Sequence, residues 1–248
     1  MCIRDRPVMI AEDEKIEPAP AKNIKMEFIG DSITCGYGVD DPDKEHHFKT
    51  ATEDVTKAYA YKTALALNAD YSMVSVSGYG IISGFTNDGN KIPEQTIPQY
   101  YDKLGFSYNK FADSITVSET EWDFKRYKPD IIVINLGTND MNYATTDERK
   151  AEFEDGFLDF LKKVRSLNPD SYIFQTYGVM GTSLEENIEN VRRKYMSETG
   201  DERITFIPLT MQNEDADGIV ADWHPSPKTH SLVSQKVTAA IKETLGYK

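Results

Sequence analysis

Short apolar runs alternate with helix-like segments along most of this chain, and this alternation restricts the fold more than any other feature. Five runs have the length and composition of β-strands: residues 24–29, 71–77, 130–136, 172–177 and 204–209. The segments between them place apolar residues at helical spacing. Such alternation is typical of a parallel sheet with helices on both faces. We therefore expect an α/β protein built as a three-layer α/β/α sandwich around about five parallel strands.

Two helices are predicted in more detail. The first carries an apolar stripe made of Phe153, Phe157, Phe160, Leu161 and Val164. Thr145 and Glu148 are candidates to cap its start, and Asn168-Pro169 should end it. The last helix carries a second stripe made of Val233, Val237, Ala240, Ile241 and Leu245. Both stripes predict core-facing surfaces.

Ser32 lies in a turn directly after the first predicted strand, within Gly30-Asp31-Ser32. The carboxyl edge of a parallel sheet is where such proteins place their chemistry. A serine in a turn is more often a helix cap than a nucleophile, so Ser32 alone proves little. However, Asn139 follows another predicted strand, and His224 precedes the last helix. A hydroxyl, an amide donor and an imidazole together are what ester hydrolysis requires.

Four ordered blocks of sequence carry a resemblance to a known superfamily. They are Gly-Asp-Ser at 30–32, Gly78, Gly-Thr-Asn-Asp at 137–140 and His224-Pro225. In this order they resemble the SGNH (GDSL) hydrolases over residues 24–246. The longer stretches around Ser32 and His224 are most similar to the catalytic domain of carbohydrate esterase family two, the acetyl-xylan-esterase-like branch. The resemblance implies a flavodoxin-like sheet, the SGNH hydrolase fold.

The resemblance also implies roles for individual residues. Ser32 would be the nucleophile and His224 the base. The oxyanion would be bound by the N–H groups of Ser32 and Gly78 and by the side-chain amide of Asn139, with Gly80 as a rival to Gly78. Asp140 would order its own loop by accepting hydrogen bonds from backbone amides.

The third member of the triad departs from the superfamily pattern. Most members place an aspartate three residues before the histidine, and here that position is Ala221. Asp222 lies only two residues before His224 and is a candidate for orienting the imidazole. The alternative is a main-chain carbonyl, which we favour because a shift of one residue usually turns a side chain away.

The other histidines do not suggest a metal centre. We expect His230 to cap the last helix or to be exposed on its first turn. His46 and His47 lie among acidic residues in the segment 40–53, which lacks the glycine and spacing of a calcium loop, so we expect a solvated acidic loop. No other signature for a metal, a nucleotide or another cofactor is present.

Aromatic residues flank the candidate site blocks: Trp223, Tyr79, Tyr37 and Tyr143. Rings at such positions suit stacking on sugars, and buried packing is the alternative for each. The segment 84–121, which holds Tyr100, Tyr101, Phe106 and Tyr108, is long for a loop. We expect it to form one wall of the substrate cleft.

Composition excludes several classes of partner. The net charge of −13 argues against nucleic acid and against anionic membrane surfaces, whereas a neutral polysaccharide would not be repelled. Cys2 and Cys35 are the only cysteines, so neither a disulfide framework nor a zinc set is expected. We expect Cys35 to be a small packing residue.

The chain is expected to hold one catalytic domain at 24–248. Residues 1–23, with Pro18 and Pro20, resemble a linker or remnant after a missing domain, and the suspected family usually carries a β-sandwich there. That family is usually exported, so we expect an extracellular bacterial protein although no signal-like segment precedes the domain.

Two classes of function remain open. The first is a serine esterase that removes acetyl groups from xylan, glucomannan or their oligosaccharides; among enzymes, a GDSL-type lipid esterase or thioesterase is the alternative. The second is a carbohydrate-binding module with little turnover. The presence of Ser32, Asn139 and His224 together favours the enzyme.

Overall fold

The computed structural model describes residues 20–106, 110–111 and 115–247. The strands, in chain order, are β1 (Ile24–Gly30), β2 (Ala69–Ser75), β3 (Lys110–Phe111), β4 (Ile115–Thr116), β5 (Ile131–Asn135), β6 (Tyr172–Tyr177), β7 (Ile204–Pro208), β8 (Ile219–Val220) and β9 (His224–Pro225). The α-helices are α1 (Ser32–Cys35), α2 (Tyr59–Ala66), α3 (Asp147–Leu167), α4 (Glu185–Thr199), α5 (Glu214–Asp217) and α6 (Pro227–Leu245).

Five of the strands form one parallel sheet in the order β2-β1-β5-β6-β7. Counted among themselves these strands follow the flavodoxin-like order 2-1-3-4-5, so the predicted sheet is confirmed. The remaining strands pair as two short antiparallel ribbons, β3 with β4 and β8 with β9.

Helices cover both faces of the sheet and create two apolar cores. On one face α3 and α4 pack with Phe157 and Ile188 against Ile134. On the other face α2 and α6 pack with Tyr59 and Val237 against their own set of strand residues. Strand β5 is buried along its whole length, as expected for a central parallel strand. The predicted three-layer sandwich is therefore confirmed.

The boundaries of two predicted elements need correction. Strand β2 begins at Ala69 and ends at Ser75, two residues earlier than expected at each end. Thr146 caps α3, because its backbone is extended and its hydroxyl accepts the Arg149 N–H at 3.4 Å. The predicted cap Thr145 lies outside the helix, and Glu148 lies in its first turn, where a negative charge favours the helix dipole.

Strand register brings the candidate site residues to one edge. Gly30, at the end of β1, pairs with Ser75 of β2 on one side and with Asn135 of β5 on the other. The chain segments that follow these three residues therefore leave the sheet side by side. The gap between β1 and β5 is the point where successive connections run in opposite directions, which is where α/β sheets form a crevice.

Most of the proposed linker at 1–23 lies outside the described residues. Within the described part, Lys22 is held against the start of β2, since its N–H donates to Asp70 at 2.9 Å and its ammonium to Ala69 O at 3.2 Å. No helix among the described residues is long and apolar enough to cross a membrane.

Candidate active site

Ser32 begins the single-turn helix α1 at the carboxyl end of β1. Asp31 caps this turn by accepting the Ile33 N–H at 3.0 Å. Gly30 is required before it, since a Cβ there would lie 2.0 Å from the Thr34 hydroxyl. At the first position of a helix, the N–H of Ser32 has no acceptor within the helix. The sequence therefore folds into a tight turn that presents both the hydroxyl and the N–H of Ser32.

His224 faces Ser32 across this edge of the sheet. Its Nε2 lies 2.9 Å from the Ser32 hydroxyl oxygen, which is hydrogen-bonding distance. Burial lowers the pKa of His224 to about 4, so the imidazole is neutral at neutral pH. A neutral imidazole with a free lone pair on Nε2 can accept the proton of the serine.

Backbone carbonyls, and not a carboxylate, orient the imidazole. His224 Nδ1 lies 3.0 Å from the carbonyl oxygen of Asp222 and 3.2 Å from that of Ala221. Because carbonyls only accept, Nδ1 carries the hydrogen and Nε2 is left as the acceptor toward Ser32. Carbonyls in these positions can orient an imidazole as an aspartate does in serine triads.

The structure corrects the candidate role of Asp222 as a triad acid. Asp222 has φ of +50° and ψ of +38°, a left-handed conformation that directs its side chain away from the imidazole. Its carboxylate instead binds Tyr37, His47 and the Phe48 N–H. Partial burial opposes ionisation of Asp222, but these hydrogen bonds outweigh it and lower its pKa.

Gly78 occupies a turn that only glycine adopts easily. The Tyr79 N–H donates to Val76 O at 3.3 Å, so Gly78 is the third residue of a turn, and its φ is +81°. A Cβ at Gly78 would meet nothing within 4 Å, so its outer face is open. At Gly80, in contrast, the N–H donates to Gln95 O at 3.2 Å. This geometry favours Gly78 over Gly80 as the second backbone donor.

Asn139 lies between the Ser32 turn and the Gly78 loop. Its amide donates to Tyr79 O at 2.8 Å and lies 3.4 Å from the Asp31 carboxylate. The contact with Asp31 is at the outer limit of a hydrogen bond, so the second amide hydrogen is weakly held. Burial raises the pKa of Asp31 to about 8. The role of Asn139 toward an oxyanion stays a prediction.

Asp140 accepts hydrogen bonds from backbone amides, as expected, but it holds the loop after Gly80 and not its own loop. Its buried carboxylate accepts the N–H groups of Ile81, Ile82 and Ser83 at 2.8–3.1 Å. Burial raises the pKa of Asp140 to about 6, and these three hydrogen bonds act in the opposite direction.

The four aromatic candidates have different surroundings. Trp223 is 46% exposed beside His224 and is therefore accessible to a ligand. Tyr79 packs near Tyr100 and Phe106, with ring centroids 6.1 and 5.9 Å away. Tyr143 belongs to another cluster, since its hydroxyl donates to Glu152 at 2.8 Å while Arg149 lies 4.5 Å from its ring centroid.

Tyr37 lies directly on the imidazole of His224. Its ring stacks on His224 with centroids 3.9 Å apart and planes 21° apart, and Phe48 packs on it at 4.8 Å. The sequence predicts Tyr37 only as a sugar-stacking candidate near the site and does not reveal its contact with His224. No local pattern carried the signal, because Tyr37 and its partner Asp222 are 185 residues apart in the sequence.

The remaining histidines need one correction. His230 neither caps α6 nor is exposed: it is buried, and its Nδ1 accepts the Tyr59 N–H at 3.2 Å. Ser226 is the residue that caps α6. His46 pairs with Asp41 at 3.0 Å and His47 with Asp222 at 2.8 Å. Among the residues that the structure describes, no group of three or more His, Cys, Asp or Glu is placed to hold a metal ion.

The expected cleft wall is described in part. The backbone of Phe85 donates to Gly78 O at 2.8 Å, and Phe85 is 46% exposed. Tyr100 and Phe106 lie against Tyr79, which connects the segment 84–121 to the Gly78 loop. The predicted contribution of Tyr108 lies outside the described residues.

Comparison with known proteins identifies relatives of this arrangement. Residues 28–232 match the model of the GDSL-like Lipase/Acylhydrolase family. The Cellulase/esterase CelE of Acetivibrio thermocellus is 34% identical over 239 residues, which are 93% of this chain. The chain spans only 26% of the length of CelE.

Two solved structures share the fold closely. A family two carbohydrate esterase from Clostridium thermocellum, in complex with cellohexaose, has a TM-score of 0.81 and 32% identity, covering 94% of this chain and 68% of that one. An acetyl xylan esterase, Est2A, from the rumen bacterium Butyrivibrio proteoclasticus has a TM-score of 0.86 and 27% identity, covering 95% of this chain and 68% of that one.

Proposed function

Because the chain belongs to the GDSL-like lipase/acylhydrolase family, we propose that it is a serine esterase that removes acetyl groups from plant cell-wall polysaccharide. The substrate would be xylan, glucomannan or their oligosaccharides. One observation carries the proposal: Ser32 lies 2.9 Å from an imidazole nitrogen that the carbonyls on the other side of the ring leave unprotonated. This pair provides the nucleophile and the base that acyl transfer requires.

The proposed reaction proceeds in two halves. The Ser32 hydroxyl oxygen attacks the acetyl carbonyl carbon while His224 Nε2 takes its proton. The resulting oxyanion is stabilised by the N–H groups of Ser32 and Gly78 and by the Asn139 amide. The tetrahedral intermediate then expels the sugar oxygen, which takes the proton from His224, and leaves acetyl-Ser32. Water then attacks the acetyl carbon of acetyl-Ser32 while His224 takes its proton. The bond from that carbon to the Ser32 oxygen breaks, the Ser32 oxygen takes the proton from His224, and acetate leaves.

Exposed rings beside the donors support a sugar substrate. Trp223 precedes His224 and Phe85 is bonded through its backbone to Gly78; both side chains are 46% exposed. Exposed rings next to His224 and to the Gly78 loop suit the apolar faces of sugars. The net charge of −13 does not oppose binding of a neutral polysaccharide. The two solved relatives, a family two carbohydrate esterase in complex with cellohexaose and an acetyl xylan esterase, support the same class.

We also propose that the protein acts outside a bacterial cell. A polymeric cell-wall substrate cannot enter the cell, so its deacetylase must meet it outside. The β-sandwich domain expected before residue 24 is a further proposal, in line with the greater length of the relatives.

A panel of substrates tests the function. We expect release of acetate from acetylated xylan or acetylated glucomannan, and little cleavage of long-chain aryl esters or acyl thioesters. Faster hydrolysis of long-chain esters would favour the lipid esterase alternative. Binding of the polysaccharides without release of acetate would favour a carbohydrate-binding module.

A further inference from the structure

The turn that carries His224 is attached to the acidic loop through several hydrogen bonds. Two are between backbones: the Ala221 N–H donates to Asp41 O at 3.1 Å, and the Asp222 N–H donates to His46 O at 3.0 Å. The Asp222 side chain then binds the same loop, since Oδ1 lies 2.8 Å from His47 Nδ1 and Oδ2 accepts the Phe48 N–H at 3.0 Å. Asp222 is therefore held from both its backbone and its side chain.

The same carboxylate also binds the ring that covers the imidazole. The Tyr37 hydroxyl donates to Asp222 Oδ2 at 2.6 Å, while the Tyr37 ring stacks on His224 at 3.9 Å. Asp222 thus acts on the histidine in two ways, one direct and one through Tyr37. Its own carbonyl faces Nδ1, and its carboxylate fixes the ring on the imidazole face.

The backbone of this turn needs such support. Asp222 and Trp223 both have left-handed conformations, with φ of +50° and +58°. Residues with a Cβ adopt these conformations only at a steric cost. Strained backbone persists where surrounding contacts determine it, and here the contacts are those of Asp222 with residues 37 and 46–48.

We propose that Asp222 and Tyr37 are positioning residues for His224: the Asp222 carboxylate, displaced from the triad, holds the strained turn that aims two carbonyls at Nδ1 and keeps the Tyr37 ring against the imidazole. The inference rests on the proposed esterase function. Neither side chain needs to touch the substrate for this role.

The Tyr37 ring also shields the imidazole from water, and this part of the proposal concerns pH. Burial is the main cause that holds the pKa of His224 at about 4, below its ordinary 6.5. The titratable groups that face or couple to His224 are the Asp222 carboxylate, the Tyr37 phenol and the buried His230 on α6. Of these, only the negative Asp222 raises the pKa of His224. Removing the Tyr37 ring should therefore raise that pKa by admitting water.

Three substitutions at one position test the anchoring role. Asp222→Asn keeps an acceptor for Tyr37 and Phe48 and a donor toward His47, so kcat should fall by no more than about tenfold. Asp222→Ala removes every side-chain bond, and kcat should fall by about tenfold to a hundredfold with KM little changed. Asp222→Gly removes the same bonds but adopts positive φ without strain, so it should lose less activity than Asp222→Ala.

A matched pair tests the ring. Tyr37→Phe keeps the stacked ring and loses the hydroxyl, so the pKa of His224 should stay near its wild-type value. Tyr37→Ala loses both, and that pKa should move toward 6.5. NMR titration of the His224 ring protons, assigned with a His224→Asn variant, measures the pKa without requiring turnover. Tyr71 is a partly exposed tyrosine on the edge strand β2, and Tyr71→Phe is the control that should leave the pKa of His224 unchanged.

Each outcome decides one question. Near-wild-type kcat in Asp222→Ala would overturn the anchoring role, and a loss in Asp222→Gly as large as that in Asp222→Ala would contradict an action through the strained turn. An unchanged His224 pKa in Tyr37→Ala would overturn the shielding role, and if that variant does not fold, Tyr37→Leu takes its place. A wild-type protein that hydrolyses no ester would refute the proposed function, whereas the NMR titration would still report on Tyr37.

Discussion

At the scale of single residues, the protonation state of His224 determines whether Ser32 can be activated. The imidazole must be neutral to accept the hydroxyl proton, and burial lowers its pKa to about 4. As pH falls through that value, Nε2 becomes protonated and the base is lost. We expect kcat/KM for 4-nitrophenyl acetate to stay level from neutral pH to about 5 and to fall about tenfold per unit below 4. An acid limb near 6.5 would contradict the buried, neutral histidine.

Asn139 provides a second test at this scale. Its amide lies between the Ser32 turn and Tyr79 O, where it can turn toward a developing oxyanion. Removing one such donor typically costs about 3 kcal/mol of transition-state stabilisation, so Asn139→Ala should lower kcat by about a hundredfold and change KM little. If steady-state kinetics instead showed a raised KM and an unchanged kcat, Asn139 would be a binding contact.

Sequence patterns were sufficient for some residues and not for others. Ser32, Asn139 and His224 follow or precede regular elements within a few residues, so local patterns could place them. The partners of Asp222 lie 174 to 185 residues away, and they depend on how two loops meet. His230 has the position of an exposed first-turn residue, but packing of α6 against α2 buries it. Both the partners of Asp222 and the burial of His230 depend on tertiary contacts, which leave no pattern in the local sequence.

At the scale of elements, the loop after β2 shows two glycines with different requirements. A Cβ at Gly80 would lie 2.1 Å from Ser83 O and 2.4 Å from the Asp140 carboxylate. Gly80→Ala should therefore lower the free energy of unfolding by about 3 kcal/mol or more. Gly78→Ala meets no neighbour within 4 Å but must hold a φ of +81°, so the loss should be about 1 kcal/mol.

Urea unfolding of both variants measures this difference. The order of the two midpoints is the critical result, because both changes add the same methyl group to one loop. A lower midpoint for Gly78→Ala than for Gly80→Ala would contradict the packing of this loop on Asp140.

The elements themselves were largely predictable. All five sheet strands and the stripes of α3 and α6 follow from apolar spacing, since one buried face leaves a periodic trace. The ends of the helices were less predictable, because a helix cap depends on a single hydrogen bond. At the start of α3, Thr146 and not Thr145 accepts the Arg149 N–H. The segment 84–121 shows little apolar periodicity. The sequence therefore predicts that it forms a wall of the cleft, but not which of its residues contact Tyr79.

At the scale of the whole molecule, the proposed chemistry uses only the side chains and backbone of the chain. Every step is assigned to Ser32, His224 and the oxyanion donors. We therefore expect activity after exhaustive dialysis against EDTA to equal that of the untreated protein. Loss of activity that a divalent ion restores would contradict this expectation and would point first to His46 and His47.

The central claim is that Ser32 forms the acyl-enzyme and that His224 activates it. The most direct measurement is hydrolysis of 4-nitrophenyl acetate and acetylated xylan by Ser32→Ala, with circular dichroism to confirm the fold. We expect a loss of about three or more orders of magnitude in kcat. A folded Ser32→Ala protein that retains substantial turnover would contradict it.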